Sequence, residues 1–292
     1  MSDLAVPSPT RTRRLTAALT GGTGATWLLV LPAALLQLCV VVPLVAIATT
    51  ALSEGTGKAT HTVADSLFLD AARRTVVLAA MVTANCWVVG SLYSLSLLLT
   101  RGWVRLFLLA SLFITFWISL LVRTYGWIVL FQPNGLLQHA LHTFGLHSGD
   151  QLNLLQTTPA MYPGMVHIML PYMILPIFGS LATLEPAQLR AAQSLGARPL
   201  TILRRVILPQ MRAGSLAGVI LVFILSLGFF VTPRFLGGPD DLTVATIIDR
   251  EFEQVFDFIA ASAMGLTLLI AVLALYVIAD RALGVSRQWE HV

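Results

Sequence analysis

The sequence predicts an all-α membrane protein of six transmembrane helices, and three observations carry that prediction. Only 11% of its 292 residues are charged and 57% are hydrophobic, for a mean hydropathy of +0.82. A soluble domain of that size carries roughly 25% charged residues. Six separate apolar runs follow one another, each long enough to cross about 30 Å of hydrocarbon as a helix. None shows the two-residue alternation of a barrel strand. In lipid every backbone N–H and C=O must find its partner within the protein, so such runs are helices.

Residues 1–25 are polar and rich in Ser, Thr and Gly, and read as a cytoplasmic tail bearing Arg11, Arg13 and Arg14. The apolar run after them is too long for the h-region of a cleaved signal. The helical domain is placed at residues 26–284, with a second tail at 285–292. The first run, Trp27–Leu52, contains Pro32 and Pro43 as points of bending. The second, Thr75–Thr100, is uncharged between Arg74 and Arg101. The third lies between Arg105 and Arg123 and continues through Trp127 and Phe131. The fourth, Met161–Leu184, carries Gly164 and three prolines, Pro163, Pro171 and Pro176, and is expected to bend. The fifth, Ala213–Pro233, carries Gly214, Gly218 and Gly228, small residues that let helices approach closely. The sixth is Phe258–Ala279. Cys39 and Cys86 lie in apolar runs without a Cys-x-x-Cys pair, and read as small buried apolar residues rather than a disulfide or a metal site.

Orientation follows from Lys and Arg in the loops. With the N-terminus inside, the inner segments hold Arg11, Arg13, Arg14, Arg101, Arg105, Arg190, Arg198, Arg204, Arg205, Arg212, Arg281 and Arg287. The outer segments hold Lys58, Arg73, Arg74, Arg123, Arg234 and Arg250, half as many. Both termini are therefore expected in the cytoplasm. The net charge of +4 reflects this topology, so no nucleic-acid partner is inferred from it.

Between the fourth and fifth runs lies Glu185–Gly214, EPAQLRAAQSLGARPLTILRRVILPQMRAG. A short helix starts at Pro186, continues through good helix formers, and is closed by Gly196 as a left-handed cap. Pro199 biases Arg198 away from helix. A second piece, Leu200–Ile207, meets Pro209 at the membrane edge. On composition alone this is an ordinary basic loop. Its spacing is more specific: Arg190-Ala191-Ala192, three residues, Gly196, nine residues, then Val206-Ile207-Leu208-Pro209.

That pattern resembles the EAA motif of ATP-binding-cassette importer permeases, with Arg190 where the family usually has Glu. Phe116–Trp127 followed by Asn134-Gly135-Leu136-Leu137 is similar to the third-helix signature of the spermidine/putrescine type. Ser226–Pro233 running into Leu236-Gly237-Gly238-Pro239 is similar to that type as well. The resemblance spans roughly residues 65–280. It implies a type I importer permease (MetI-like) fold with a cytoplasmic coupling helix, in the bacterial inner membrane. It implies as partners a second permease subunit, so that the pair is a heterodimer, two copies of an ATP-binding subunit, and an extracytoplasmic solute-binding protein. Glu185, Arg190, Ala191, Ala192, Gly196, Leu208 and Pro209 would meet the ATPase.

No cofactor is expected in this chain. Gly21-Gly22-Thr23-Gly24 is not followed by Gly-Lys-Ser/Thr, and Gly57-Lys58 lacks the upstream glycine of a phosphate loop, so ATP and Mg would sit on the partner ATPase. The resemblance nominates Arg123, Tyr125, Tyr172, Phe229 and Arg234 for the translocation path. Trp117, Tyr125 and Trp127 equally fit an interfacial aromatic belt. His167 fits a pore residue or a histidine bonded to a carbonyl freed by proline. His139, His142 and His147 lack a neighbouring Cys or acid to complete a metal site.

The implied cargo is a small charged organic solute, foremost a polyamine. Polyamine-carrying relatives often have acids where this chain has Phe229 and Arg234. Arg234 would oppose a polycation unless paired, with Asp240 or Asp241 as candidate partners; an amino-acid-like, zwitterionic or anionic solute is the alternative. An ion-coupled carrier is disfavoured by the lack of Asp or Glu inside the six runs, and an enzyme by the lack of a catalytic set.

Overall fold

The computed structural model describes residues 23–53, 55–145 and 154–283. His147 and the expected tails lie outside them, except that Thr23, Gly24 and Ala25 of the expected N-terminal tail begin the first helix. Every regular element among the described residues is helical. In order they are α1 (Thr23–Leu52), α2 (Thr56–Ala64), α3 (Ser66–Leu99), α4 (Gly102–Trp117), α5 (Leu120–Phe131), α6 (Leu136–Thr143), α7 (Thr158–Ala182), α8 (Pro186–Ser194), α9 (Pro199–Leu227), α10 (Val231–Leu236), α11 (Val244–Arg250) and α12 (Phe258–Leu283). Five of them, α1, α3, α7, α9 and α12, are long and apolar enough to cross a membrane.

The third expected crossing is not one helix. α4 and α5 meet at an angle of 103°. The chain is extended at Ile118 (φ −77°, ψ 127°) and Ser119 (φ −52°, ψ 140°), so the helical ladder is interrupted there. No glycine or proline marks the place. The local sequence is weak in helix, with β-branched Ile114, Thr115 and Ile118 ahead of Ser119 at an N-cap position. Packing decides the rest: Leu112 of α4 is buried with Leu97 and Ile174, while Leu120, Trp127, Ile128 and Phe131 of α5 turn onto the main core.

α7 is the centre of the bundle, packed between α3 and α9. Met161, Met165, Met169 and Met173 recur every fourth residue, all almost fully buried. Unbranched, polarisable side chains fill the irregular space beside a proline-bent helix. Three glycines make the close approach possible. A Cβ on Gly90 of α3 would lie 2.8 Å from Met173 Cγ. One on Gly218 of α9 would lie 2.7 Å from Met173 Sδ and 3.2 Å from Pro176 Cγ, and one on Gly214 would collide with the Pro176 carbonyl. Gly214 and Gly218 thus form a small-xxx-small contact directly over Pro176. Gly228 meets nothing within 4 Å, so the packing role expected of it does not hold.

Two further differences have local causes. Pro209 does not end a helix. α9 runs from Pro199 through it because residues Leu203–Ile207 form a widened turn, in which the Leu208 N–H reaches back five residues to the Leu203 carbonyl. That widening accommodates a residue that lacks an N–H and crowds the preceding turn. Cys86 is buried as expected, but Cys39 is exposed, because α1 packs mainly on α12 and shows its remaining faces outward. A second core ties α12 to the bundle through Phe68, Ala71, Val244, Ile247 and Met264. Thr75 stitches it: its hydroxyl donates to the Ala71 carbonyl (2.7 Å) and accepts from the Val244 N–H (2.9 Å).

Gly218→Leu should lower stability by about 1–3 kcal/mol through overpacking, read as a fall in unfolding temperature in detergent. Gly228→Ala should leave it unchanged. Equal behaviour of the two variants would show that the α7–α9 approach is not tight.

Candidate functional sites

The first site is the knob between α7 and α9. α8 begins at Pro186, with Glu185 exposed at the N-cap position and making no side-chain cap. It ends in a paired closure: the Gly196 N–H donates to the Gln193 carbonyl (2.9 Å) and the Ala197 N–H to the Ala192 carbonyl (3.1 Å). Gly196 takes φ +72°, which a side chain would strain although nothing lies within 4 Å of its Cβ position. Arg198 is extended (φ −65°, ψ 150°) ahead of Pro199, as the proline dictates.

One side of the knob is anchored. Leu189, Ala192 and Ala197 pack against the main core together with Ile202 and Ile207. The other side is open: Arg190, Ala191, Leu208 and Pro209 are exposed, and Leu195 is 87% exposed. Leu195 was not singled out by spacing, although an apolar residue beside the cap glycine is its signal. Among the described residues, Arg190, Arg198, Arg204, Arg205 and Arg212 have no acidic partner. The knob is therefore a rigid, basic projection with an apolar tip.

The second site lies where α5, α7 and α10 converge. Gly164 of α7 admits Thr232 of α10, whose Cγ2 would lie 2.9 Å from a Cβ at that glycine. Tyr125 of α5 is exposed and its ring lies 6.0 Å from Phe235 of α10. Tyr172 meets Phe116 of α4 edge-on at 5.7 Å. Arg123 is half-buried, its Nε has no hydrogen-bond partner, and it lies within electrostatic range of Tyr172 and His167. The Trp127 indole N–H donates to His167 Nδ1 at 3.3 Å. His167 is thus bonded to a tryptophan, not to a carbonyl released by proline, and Trp127 turns inward instead of joining an interfacial belt; Trp117, 89% exposed, faces out. Phe229 is half-buried against the main core.

Arg234 is paired, but not with the residues expected. Its Nε lies 3.2 Å from Asp249 Oδ2 on α11, with side-chain exposures of 40% and 13%. The Asp241 carboxylate is engaged elsewhere, accepting from Thr158 and from the Gly238 N–H, while at Asp240 the backbone carbonyl accepts from Arg74. The fold lays α11 beside α10, a juxtaposition that sequence distance does not reveal. His139 Nδ1 is 3.1 Å from the Gly135 carbonyl of its own turn, and the described residues contain no group of three metal-ligating side chains.

The chain is thus a helical membrane bundle with a basic knob and a third helix broken over a proline-containing fourth. Residues 34–289 match the family of binding-protein-dependent transport system inner membrane components, and the chain belongs to it. It is a transport subunit of the inner membrane, not an enzyme.

Among its relatives, the spermidine/putrescine transport system permease protein PotB of Escherichia coli is 30% identical over 206 residues, covering 70% of this chain and 74% of that protein. PotB of Haemophilus influenzae is 32% identical over 198 residues, covering 67% and 69%. The fold is that of a bacterial ABC transporter that imports the acidic polysaccharide alginate (TM-score 0.75, 16% identity, 92% of this chain and 98% of that one). It is also that of the MetNI methionine transporter in an inward-facing conformation (TM-score 0.56, 15% identity, 73% and 93%). The type I importer fold expected from the sequence is the one observed, with the third crossing bent.

Proposed function

We propose that this chain is the permease subunit of a polyamine importer. The observation that carries the reading is the continuous similarity to spermidine/putrescine permeases over 70% of the chain. The Arg234–Asp249 pair removes the main objection to it. An unpaired cation about 6 Å from a dication, at an effective dielectric near 20, would cost on the order of 5 kcal/mol. With Asp249 beside it, Arg234 presents little net charge to a passing polyamine.

The complex would comprise a second, different permease, two ATP-binding subunits carrying ATP and Mg, and a solute-binding protein outside. The termini and the knob would face the cytoplasm. The knob would dock in the ATPase through Arg190, Ala191, Ala192, Leu208, Pro209 and the turn held open by Gly196. Closure of the ATPases on ATP would carry it toward the bundle axis. α9 would transmit that motion, and the bundle would turn from inward-open to outward-open. Arg123, Tyr125, Tyr172, Phe229 and Arg234 would border the path. One observation favours a zwitterionic or anionic solute instead: the Arg123 guanidinium Nε, buried and without a hydrogen-bond partner, could receive a carboxylate.

Three measurements test this reading. In a background without Cys39 and Cys86, cysteine at Thr143 should react with an impermeant thiol reagent added outside intact cells, and cysteine at Gln193 should not; the reverse pattern overturns the orientation. Gly196→Trp should insert normally yet recover several-fold less ATPase on purification, with uptake lost in parallel. Normal assembly and uptake in that variant overturn the docking site.

The third is uptake in proteoliposomes of the assembled importer with its binding protein. Arg234→Gln should keep or raise spermidine and putrescine uptake. A tenfold or greater loss, for a zwitterionic or acidic solute carried by the wild type, would establish the alternative cargo.

A further inference from the structure

A groove of about 800 Å³ runs between α3 and α9, starting at Leu208 on the knob and continuing along a face that the other proposed roles leave unused. Trp87, Leu92 and Leu95 form one wall, and Leu208, Leu216 and Val219 the other. Trp87 and Leu92 are 48% and 61% exposed, so none of the described residues covers them. The single charged residue in the lining is Arg212, in the third of the groove nearest the knob. Arg212 is exposed and, among the described residues, has no acidic partner. It is also the last charge before the uncharged stretch Ala213–Pro233, which places it at the boundary of the hydrocarbon.

The length of the groove says what fits it. Leu208 lies on the knob side of Arg212, and from Arg212 to Val219 the α9 wall rises about 10 Å along a helix. One leaflet contributes half of the roughly 30 Å hydrocarbon core, about 15 Å. A transmembrane helix of another subunit needs a seat along the whole thickness. The headgroup-proximal part of a lipid acyl chain fits within one leaflet's depth and, for an anionic headgroup, needs a cation at the near end. An arginine stem lying along apolar surface, with its guanidinium reaching toward the headgroups, is well suited to a phosphate.

We infer that this groove is a binding site for an anionic phospholipid of the knob-side leaflet, its phosphate on Arg212 and an acyl chain along Trp87. Naming that leaflet cytoplasmic, where polar-headgroup charge is negative, rests on the orientation proposed above; the selectivity of the groove does not. The site would tie the α3–α9 seam to the lipid composition around it, since the lipid touches both helices.

The test is Trp87 fluorescence in the assembled importer, reconstituted in nanodiscs with dibrominated phosphatidylglycerol or dibrominated phosphatidylcholine at equal mole fraction. The Trp87 signal is the difference between wild type and Trp87→Phe. Phosphatidylglycerol should quench it at least twofold more than phosphatidylcholine. Arg212→Gln, a change at an exposed and unpaired residue, should abolish the difference, and Arg212→Lys should retain most of it. Native mass spectrometry should show phosphatidylglycerol retained by the wild type and lost by Arg212→Gln. Equal quenching by the two lipids would make this unselective annular lipid and overturn the site. No quenching by either would show that a protein helix covers the groove, which also overturns it. Neither result bears on the cargo or the orientation, which the labelling and uptake measurements decide separately.

Discussion

The contact on which the rest of the bundle depends is the one between Pro176 of α7 and the Gly214–Gly218 pair of α9. α7 carries Pro176 within it, and at Gly214 and Gly218 a Cβ would run into the Pro176 carbonyl and ring, so only residues without a Cβ can lie against it. That approach sets how α9 crosses α7. It also sets where the buried methionine row must reach and how near α3, with Gly90 against Met173, can come. In lipid there is little hydrophobic gain from moving an apolar helix surface out of solvent, so close van der Waals packing at small residues is a principal term holding such helices together. Gln210 adds a polar tie at the same seam, donating to the Ser180 carbonyl and the Thr183 hydroxyl.

This contact also links the two sites. α9 starts at Pro199 on the knob and ends at Leu227, about 43 Å away at helical rise. α10, carrying Arg234 and Phe235, begins four residues later. Pro209 would sever such a lever if the chain were a regular α-helix there. The widened turn at Leu203–Ile207 keeps it continuous and puts its most irregular hydrogen bonding next to the knob, where displacement would enter. The break between α4 and α5 supplies the opposite property. It lets α5 lie on α10 and α7 independently of α4, so Arg123, Tyr125 and Arg234 sit on short segments around the α3–α7–α9 core.

Charge is distributed to match. Among the described residues the knob's arginines have no acidic partner, and Arg212 lies beside an apolar groove. Arg234 is matched by Asp249, and the Asp257 carboxylate caps α12 through the Ile259 and Ala260 N–H groups. Cations on the knob side are available to partners, whereas Arg234 is compensated within the fold.

Class, number of apolar runs, and the closing of α8 at Gly196 were legible in the sequence. They depend on local or one-dimensional facts: the length of an uncharged run, the φ that glycine allows, the geometry that proline imposes on its predecessor. The conformation of the knob was legible for the same reason, since its turn chemistry is written within thirty consecutive residues. Four features were decided only in three dimensions. The bend at Ile118–Ser119 has no glycine or proline to announce it and exists because α4 and α5 bury their apolar sides in different places. Passage of α9 through Pro209 needed a widened turn that no residue pattern specifies. The partner of Arg234 is fifteen residues away on another helix, not the nearer Asp240 or Asp241; the Asp241 carboxylate is taken by Thr158 and the Gly238 N–H. His167 and Trp127, forty residues apart, meet only because α5 lies across α7. Helix-forming tendency and membrane topology are properties of neighbouring residues; charge pairing and helix crossing are properties of surfaces, and those surfaces exist only once the helices have packed.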